Sequence, residues 1–409
     1  MIKTKDGAYS IQGVTLESMA KTFGTPLYIY DAEKISSQIN SLRMAFGNIH
    51  IKYAAKALTN ISILHFMKQQ GVGVDVVSIQ EAQIAIKSGF NPAEIMFTPN
   101  CVAFDEIVQG VDLGLTINLD NLSVLQKFGA KYRGTYPCGL RLNPDILAGG
   151  NYKISTGHAH SKFGISIHAK DEILRVVQQY GIKIQGLHIH TGSELNDLDV
   201  FMKMADILFG LAQSFPDLKF LDFGGGLKVP YKDGDVATDI AELGKRLTKA
   251  FDDFNKKNGR NLQLWMEPGK FLVSDAGILL VRTNVVKPTP KVTFVGVDSG
   301  LNHLIRPMMY DAYHTIVNVS NTEGPKHTYT VVGNICETDT LGSDRALNEV
   351  REGDLLVLKN AGAYGYSMAS NYNSRLRPAE VMVVSGEAKL IRRRDTLEQL
   401  LNGQENIFR

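Results

Sequence analysis

The chain has 409 residues, too many for one ordinary domain and suited to a barrel with a second domain. Its 44 Lys and Arg against 42 Asp and Glu leave a formal charge of +2, and the one basic run, Arg392-Arg393-Arg394, reads as a solvated strand end, so neither nucleic acid nor membrane is indicated as a partner. Three cysteines far apart, Cys101, Cys138 and Cys336, argue against a disulfide framework, and with no apolar leader at the N-terminus the expected location is the cytoplasm.

Short apolar runs alternate with segments of helical spacing. The runs are Ile49–Ala55, Val72–Val77, Ile95–Thr98, Leu115–Leu119, Pro137–Leu142, Ile184–His190, Leu218–Phe223 and Leu262–Glu267. Between them, Ile61–Gln70 and Phe201–Phe215 carry apolar residues at helical intervals. Eight strands each followed by a helix predict an α/β unit, a (β/α)8 barrel over residues 31–276. The stretch Asp145–Ile167 reads as a long Gly-rich loop. After Val273 the pattern changes: Val281–Val286, Lys291–Val297, His327–Gly333, Asp354–Lys359, Ala379–Val384 and Ala388–Arg392 read as strands without long helices. Residues 277–409, with 1–30, are therefore expected to form an all-β domain, to which Pro26–Tyr30 adds a strand.

The distinctive residues fall at the C-terminal ends of the barrel strands, where barrel enzymes keep their chemistry. Lys56 closes the first strand in Tyr53-Ala54-Ala55-Lys56-Ala57. A lysine amine in a partly dry site loses its proton and forms a Schiff base with an aldehyde, which is how pyridoxal 5'-phosphate is held. The bland alternative is a solvated lysine. His190 closes the sixth strand, and Gly224-Gly225-Gly226 follow Asp222-Phe223 at the seventh. Successive glycines let backbone N–H groups approach a phosphate, although such a run alone is equally a flexible turn. Glu267 closes the eighth strand and is placed to meet a pyridine nitrogen; alone it reads as a surface carboxylate. His188 and His190 also admit a metal site. The metal enzymes with this spacing carry it on the first strand, and no metal is expected. His158 and His160 read as solvated loop residues.

Several stretches together resemble the fold-type III pyridoxal-phosphate decarboxylases, in the branch that acts on diaminopimelate. They are Tyr53–Ala57, Asp75–Ser78, Ser161–Gly164, His188–Ser193, Asp222–Tyr231, Glu267–Lys270, Gly300–Tyr310, Val332–Glu337 and Ala361–Asn373. The resemblance implies that Lys56 carries pyridoxal 5'-phosphate, His190 stacks on it and Glu267 meets its nitrogen. It implies that Gly225, Gly226 and the Pro268-Gly269-Lys270 backbone hold the phosphate, with Ser193 and Tyr364 assisting. Lys270, Arg306, Tyr310, Glu337 and Tyr364 would touch the substrate, and Cys336 would donate a proton to the carbanion left when CO2 departs. Cys336 and Glu337 would come from the partner subunit of a homodimer with shared sites. Lys270 departs from the arginine usual in the family, keeping the charge but losing the fork. Decarboxylases of ornithine, lysine, arginine or carboxynorspermidine remain alternatives, as do a racemase and a non-catalytic cofactor-binding protein. The pairing of Arg306 with Glu337 favours a substrate that has an amino-acid group at each end.

Overall fold

The computed structural model describes residues 3–5, 7–146 and 156–408. The chain divides into two compact units, one of residues 37–229 and 236–272, the other of residues 1–36, 230–235 and 273–409.

The first unit is the barrel. Its strands are Ile49–Ala54, Gly73–Val76, Ile95–Phe97, Thr116–Leu119, Cys138–Asn143, Ile184–Ile189, Phe220–Asp222 and Gln263–Met266. Each is parallel to its neighbours, and the eighth pairs with the first through Trp265 opposite His50, closing the cylinder. Strands buried on both faces need apolar residues on both, which is why they stand out as unbroken runs. The helices between them start where a side chain can accept the free N–H groups of the first turn. Asn60 does this for Ile61–Gln69, Ser78 for Ile79–Lys87 and Asp197 for Leu198–Ala212. A short strand, Ile165–Ser166, also pairs with the fifth barrel strand. Only two residues long, it lay hidden in what read as loop. The barrel is filled rather than open. Phe220 stacks on Trp265 with centroids 3.8 Å apart, and Met96 joins them in a buried cluster. A methyl group on Gly186 would sit 2.0 Å from the Phe220 ring, so an alanine there overpacks the centre, at a cost of about 1–3 kcal/mol.

The second unit is built on one long strand, Gly277–Pro288. Its first half pairs with Leu27–Asp31 and Leu355–Leu358, its second half with Thr293–Val297. Beyond these lie Lys326–Val332 and Thr340–Asn348 on one side, and Ala379–Val384 and Glu387–Arg392 on the other. The core joins Leu27, Ile29, Ile278, Leu280, Val357 and Val381 to Leu16 and Met19 of the helix Leu16–Phe23. That helix, and the strands Ile316–Asn318 and Thr340–Asn348, went unread in the sequence. Thr340–Asn348 is polar and carries a glycine and an aspartate, so only its pairing with Lys326–Val332 makes it a strand. The basic run is also not simply solvated. Arg392 pairs with the fully buried Glu380 and lies 4.8 Å above the Tyr366 ring, while Arg394 donates to the Pro26 carbonyl at 2.7 Å. Among the described residues no helix is long and apolar enough to cross a membrane.

Candidate active site

Lys56 stands one turn past the first barrel strand, in the 3-10 turn Ala55–Ala57, not on the strand itself. Its side chain is 39% exposed and its Nζ lies 3.0 Å from Oδ2 of Asp75, which is 1% exposed. The two face a cavity of about 320 Å³ that Arg141, Phe163, His188, His190 and Glu267 also line. Thus Lys56, His190 and Glu267 do converge. Asp75 and Arg141 received no role from the sequence. Their signal was a charge inside an otherwise apolar strand, Gly73-Val74-Asp75-Val76 and Cys138-Gly139-Leu140-Arg141-Leu142-Asn143. The Arg141 guanidinium is buried 4.5 Å above the Phe163 ring.

The glycine run is shaped by close approach. Gly224 and Gly226 have φ of 63° and 96°, a region that favours glycine. A Cβ on Gly225 would meet the Glu267 carbonyl oxygen at 2.4 Å, and one on Gly226 the Gly192 oxygen at 2.4 Å. The loops after strands six, seven and eight are therefore packed backbone on backbone. Leu195 N donates to Gly226 O at 2.8 Å, and Glu267 N to Gly224 O at 2.7 Å. Pro268 O accepts from Ala54 N, and Gly269 has Ala54 and Ala57 against it, so the Glu267–Lys270 stretch rests on the turn that carries Lys56. Half-buried Ser193 lies on the strand-six loop. Lys270 is buried, and its Nζ meets Glu194 Oε1 at 3.0 Å. Glu194 is thus a third residue the sequence reading passed over; it has a φ of 65° on the loop that meets Lys270.

Gly225 N donates to His190 Nδ1 at 3.3 Å, so this nitrogen carries no proton. Burial and the nearby Arg141 and Lys56 charges push the His190 imidazole well below its ordinary pKa. Glu267 is 6% exposed, and burial next to Asp222 and Asp75 drives its carboxyl well above the carboxylate range. Burial also lifts Asp222, to about 7, although its Oδ1 accepts from Gly224 N at 2.8 Å. His188, Asp222 and Glu267 bring one donor atom each within 4.8 Å of one another. With both carboxyls raised by burial, this group presents less negative charge than its composition suggests. His158, read as solvated, is buried, with its carbonyl accepting from Asn143 at 3.1 Å. His160 is exposed. The centre of the predicted Asp145–Ile167 loop, 147–155, lies outside the described residues.

In the second unit, Arg306 opens the helix Arg306–Tyr310 and is buried, against the alternative of a solvated turn. Its guanidinium lies 5.7 Å from the Tyr231 ring, 5.8 Å from Tyr310 and 5.9 Å from Tyr364. Cys336 and Glu337 are exposed side by side. Asn373 accepts from Cys336 N and donates to its Sγ, both at 3.0 Å, and Tyr372 donates to Glu337 at 3.0 Å. Its hydrogen bonds to Glu337 and to the Cys336 sulfur push the Tyr372 hydroxyl up to about 12. Behind them, Asp339 accepts from Leu301 N and Ile335 N, which holds the loop in one shape.

The site fits a pyridine aldehyde phosphate on two observations. The backbone cradle admits no side chain at Gly225 or Gly226, and no donor from another residue reaches the buried Glu267 Oε1 among the described residues. A protonated ring nitrogen is such a donor. Residues 32–274 match the pyridoxal-dependent decarboxylase family, pyridoxal binding domain. The chain is 36% identical over 410 residues to diaminopimelate decarboxylase of Methanothermobacter thermautotrophicus, covering 97% of this chain and 96% of that one. It is 38% identical over 393 residues to diaminopimelate decarboxylase of Neisseria meningitidis serogroup B, covering 93% of each. The crystal structure of diaminopimelate decarboxylase from M. jannaschii in complex with L-lysine aligns with a TM-score of 0.90 at 32% identity, covering 98% of this chain and 96% of that one. A barrel-and-sheet enzyme dependent on pyridoxal 5'-phosphate is thus the class to which fold and site conform. The chain belongs to the diaminopimelate decarboxylases of the pyridoxal-dependent decarboxylase family.

Proposed function

We propose that this chain removes CO2 from meso-2,6-diaminopimelate to give L-lysine, acting in the cytoplasm as a homodimer whose two chains complete each site. The observation that carries the reading is the convergence of Lys56, His190 and Glu267 on one cavity beside the glycine cradle. Bound pyridoxal 5'-phosphate supplies the sink for the electron pair left when a bond at Cα breaks. Lys56 holds the cofactor, and Asp75 balances the lysine's charge. Gly225, Gly226 and Gly269 would hold the phosphate through backbone N–H groups and Pro268 would pack beside it, with Ser193, Lys270 and Tyr364 assisting. Glu267 would meet the ring nitrogen, and His190 would stack on the ring. Arg306, with Tyr310 and Tyr364, takes the distal carboxylate, and Glu337 the distal ammonium. The Cys336 thiol returns a proton to the reacting carbon.

Shared sites are supported by the exposure of Cys336 and Glu337 together with Tyr372 on one face of the second unit. Mixing Lys56→Ala protein with Cys336→Ala protein tests this. Each variant alone is inactive. Random pairing should restore up to about a quarter of wild-type activity, because half the dimers then have one intact site of two. Demonstrated subunit exchange without recovery contradicts the shared site.

A further inference from the structure

The turn beside the proton donor brackets it on two sides. Asn373 accepts from the Cys336 backbone N–H through Oδ1 and faces Sγ with Nδ2, both at 3.0 Å. A backbone N–H can only donate, so the amide has one orientation, with Oδ1 on that N–H and Nδ2 on the sulfur. The sulfur is therefore an acceptor toward Asn373, and the thiol hydrogen points elsewhere. Tyr372 gives its one hydrogen to Glu337 Oε1 at 3.0 Å, which leaves its oxygen, 3.9 Å from Sγ, as an acceptor for the thiol hydrogen. Asn373 sits at φ 55° and ψ 26°, a left-handed conformation that glycine, asparagine and aspartate tolerate best. The turn is also held from behind. Asp395, whose side chain is 10% exposed, accepts from Asn371 Nδ2 at 3.0 Å and from Arg377 Nε at 2.8 Å.

We propose that Asn373 is a positioning residue for the return of the proton: it fixes the Cys336 sulfur from two sides and stabilises the thiolate that remains once the proton has gone. In that step the S–H bond breaks, the electron pair on the reacting carbon becomes the new C–H bond, and sulfur keeps the pair of the S–H bond. A hydrogen bond to an ionised acceptor is about twice as strong as one between neutral groups. The Asn373 bond thus tightens as the proton leaves and lowers the barrier to its transfer. The inference rests on the reading of Cys336 as the acid.

The test compares Asn373→Asp with Asn373→Gly. Aspartate keeps the left-handed turn and the acceptor for Cys336 N, but sets a carboxylate oxygen against the sulfur. Glycine keeps the turn and removes both bonds. The first readout is the rate of iodoacetamide alkylation of the Cys336 peptide in the purified holoenzyme across pH, followed by mass spectrometry. The pH midpoint should rise by about one unit in Asn373→Asp, an about ten-fold loss of thiolate, and by less in Asn373→Gly. A merely structural role would do otherwise: a loosened turn uncovers the sulfur and speeds alkylation without moving the midpoint. With meso-diaminopimelate, kcat should fall several-fold in Asn373→Asp and KM should fall with it, because the proton returns only after CO2 has departed. An unmoved midpoint in Asn373→Asp overturns the proposal, as does a moved midpoint with unchanged kcat. If the aspartate variant fails to fold, Asn373→Gly decides by the same two readouts. If Cys336→Ala still forms L-lysine at the wild-type rate, the assignment of Cys336 has failed, which is a separate result.

Discussion

Replacing Arg306 by methionine should change which substrates the enzyme prefers more than how fast it works. The guanidinium is 5% exposed, and its Nε finds no acceptor among the described residues. Three tyrosine rings surround it at 5.7–5.9 Å, favouring a retained positive charge. Two unit charges 4 Å apart attract by about 4 kcal/mol at the effective dielectric of a protein surface. After desolvation, a charge-assisted hydrogen bond retains about 1.5–3 kcal/mol, or about ten- to a hundred-fold in kcat/KM. That loss should appear with meso-diaminopimelate in a CO2-release assay. With lysine, which lacks the distal carboxylate, the low rate should not change, so the ratio between the two collapses. Arg306→Lys should recover part of the loss, since an ammonium keeps the charge without the fork. Equal losses on both substrates, in a variant whose thermal melt matches wild type, would show that Arg306 serves structure and not recognition.

Borohydride reduction of the holoenzyme should fix the cofactor to the peptide containing Lys56, and mass spectrometry finding it on another lysine would refute the assignment. Asp222 should make the cofactor-free protein less stable as pH rises. Its folded carboxyl keeps a proton up to about 7, whereas the unfolded one loses it near its ordinary value, about 4. The contribution is thus complete below about pH 4 and disappears as pH climbs toward 7. At about 1.4 kcal/mol per unit the ceiling is about 4 kcal/mol. Urea unfolding at several pH values should show a flatter curve for Asp222→Asn, which keeps the acceptor for Gly224 N; an unchanged curve would place the titrating proton elsewhere.

The barrel was legible because strands buried on both faces leave apolar runs, and the site because its residues cluster just past those runs. Tyr53–Ala57 and Asp222–Gly226 are local signals: a strand, then the residue types the chemistry needs. Asp75 and Arg141 were harder to read. Each points inward from a strand, and nothing local tells which neighbour across the barrel it meets. Arg392 looked like a surface charge because its partner, Glu380, lies on the adjacent strand and is buried by the fold alone. Glu194 pairs with Lys270 across two loops separated by 76 positions, so a departure from the family at Lys270 was visible while its likewise charged partner was not. Thr340–Asn348 shows the same limit for secondary structure: a polar edge becomes a strand only once its neighbour exists.

The most direct measurement is CO2 release from carboxyl-labelled amino acids by the purified holoenzyme, with the amine product identified. With meso-diaminopimelate the enzyme should release CO2 and form L-lysine in equal amounts, and ornithine, lysine and arginine should release far less. Preferential release from any of those three, or racemisation of substrate without CO2, would contradict the assignment.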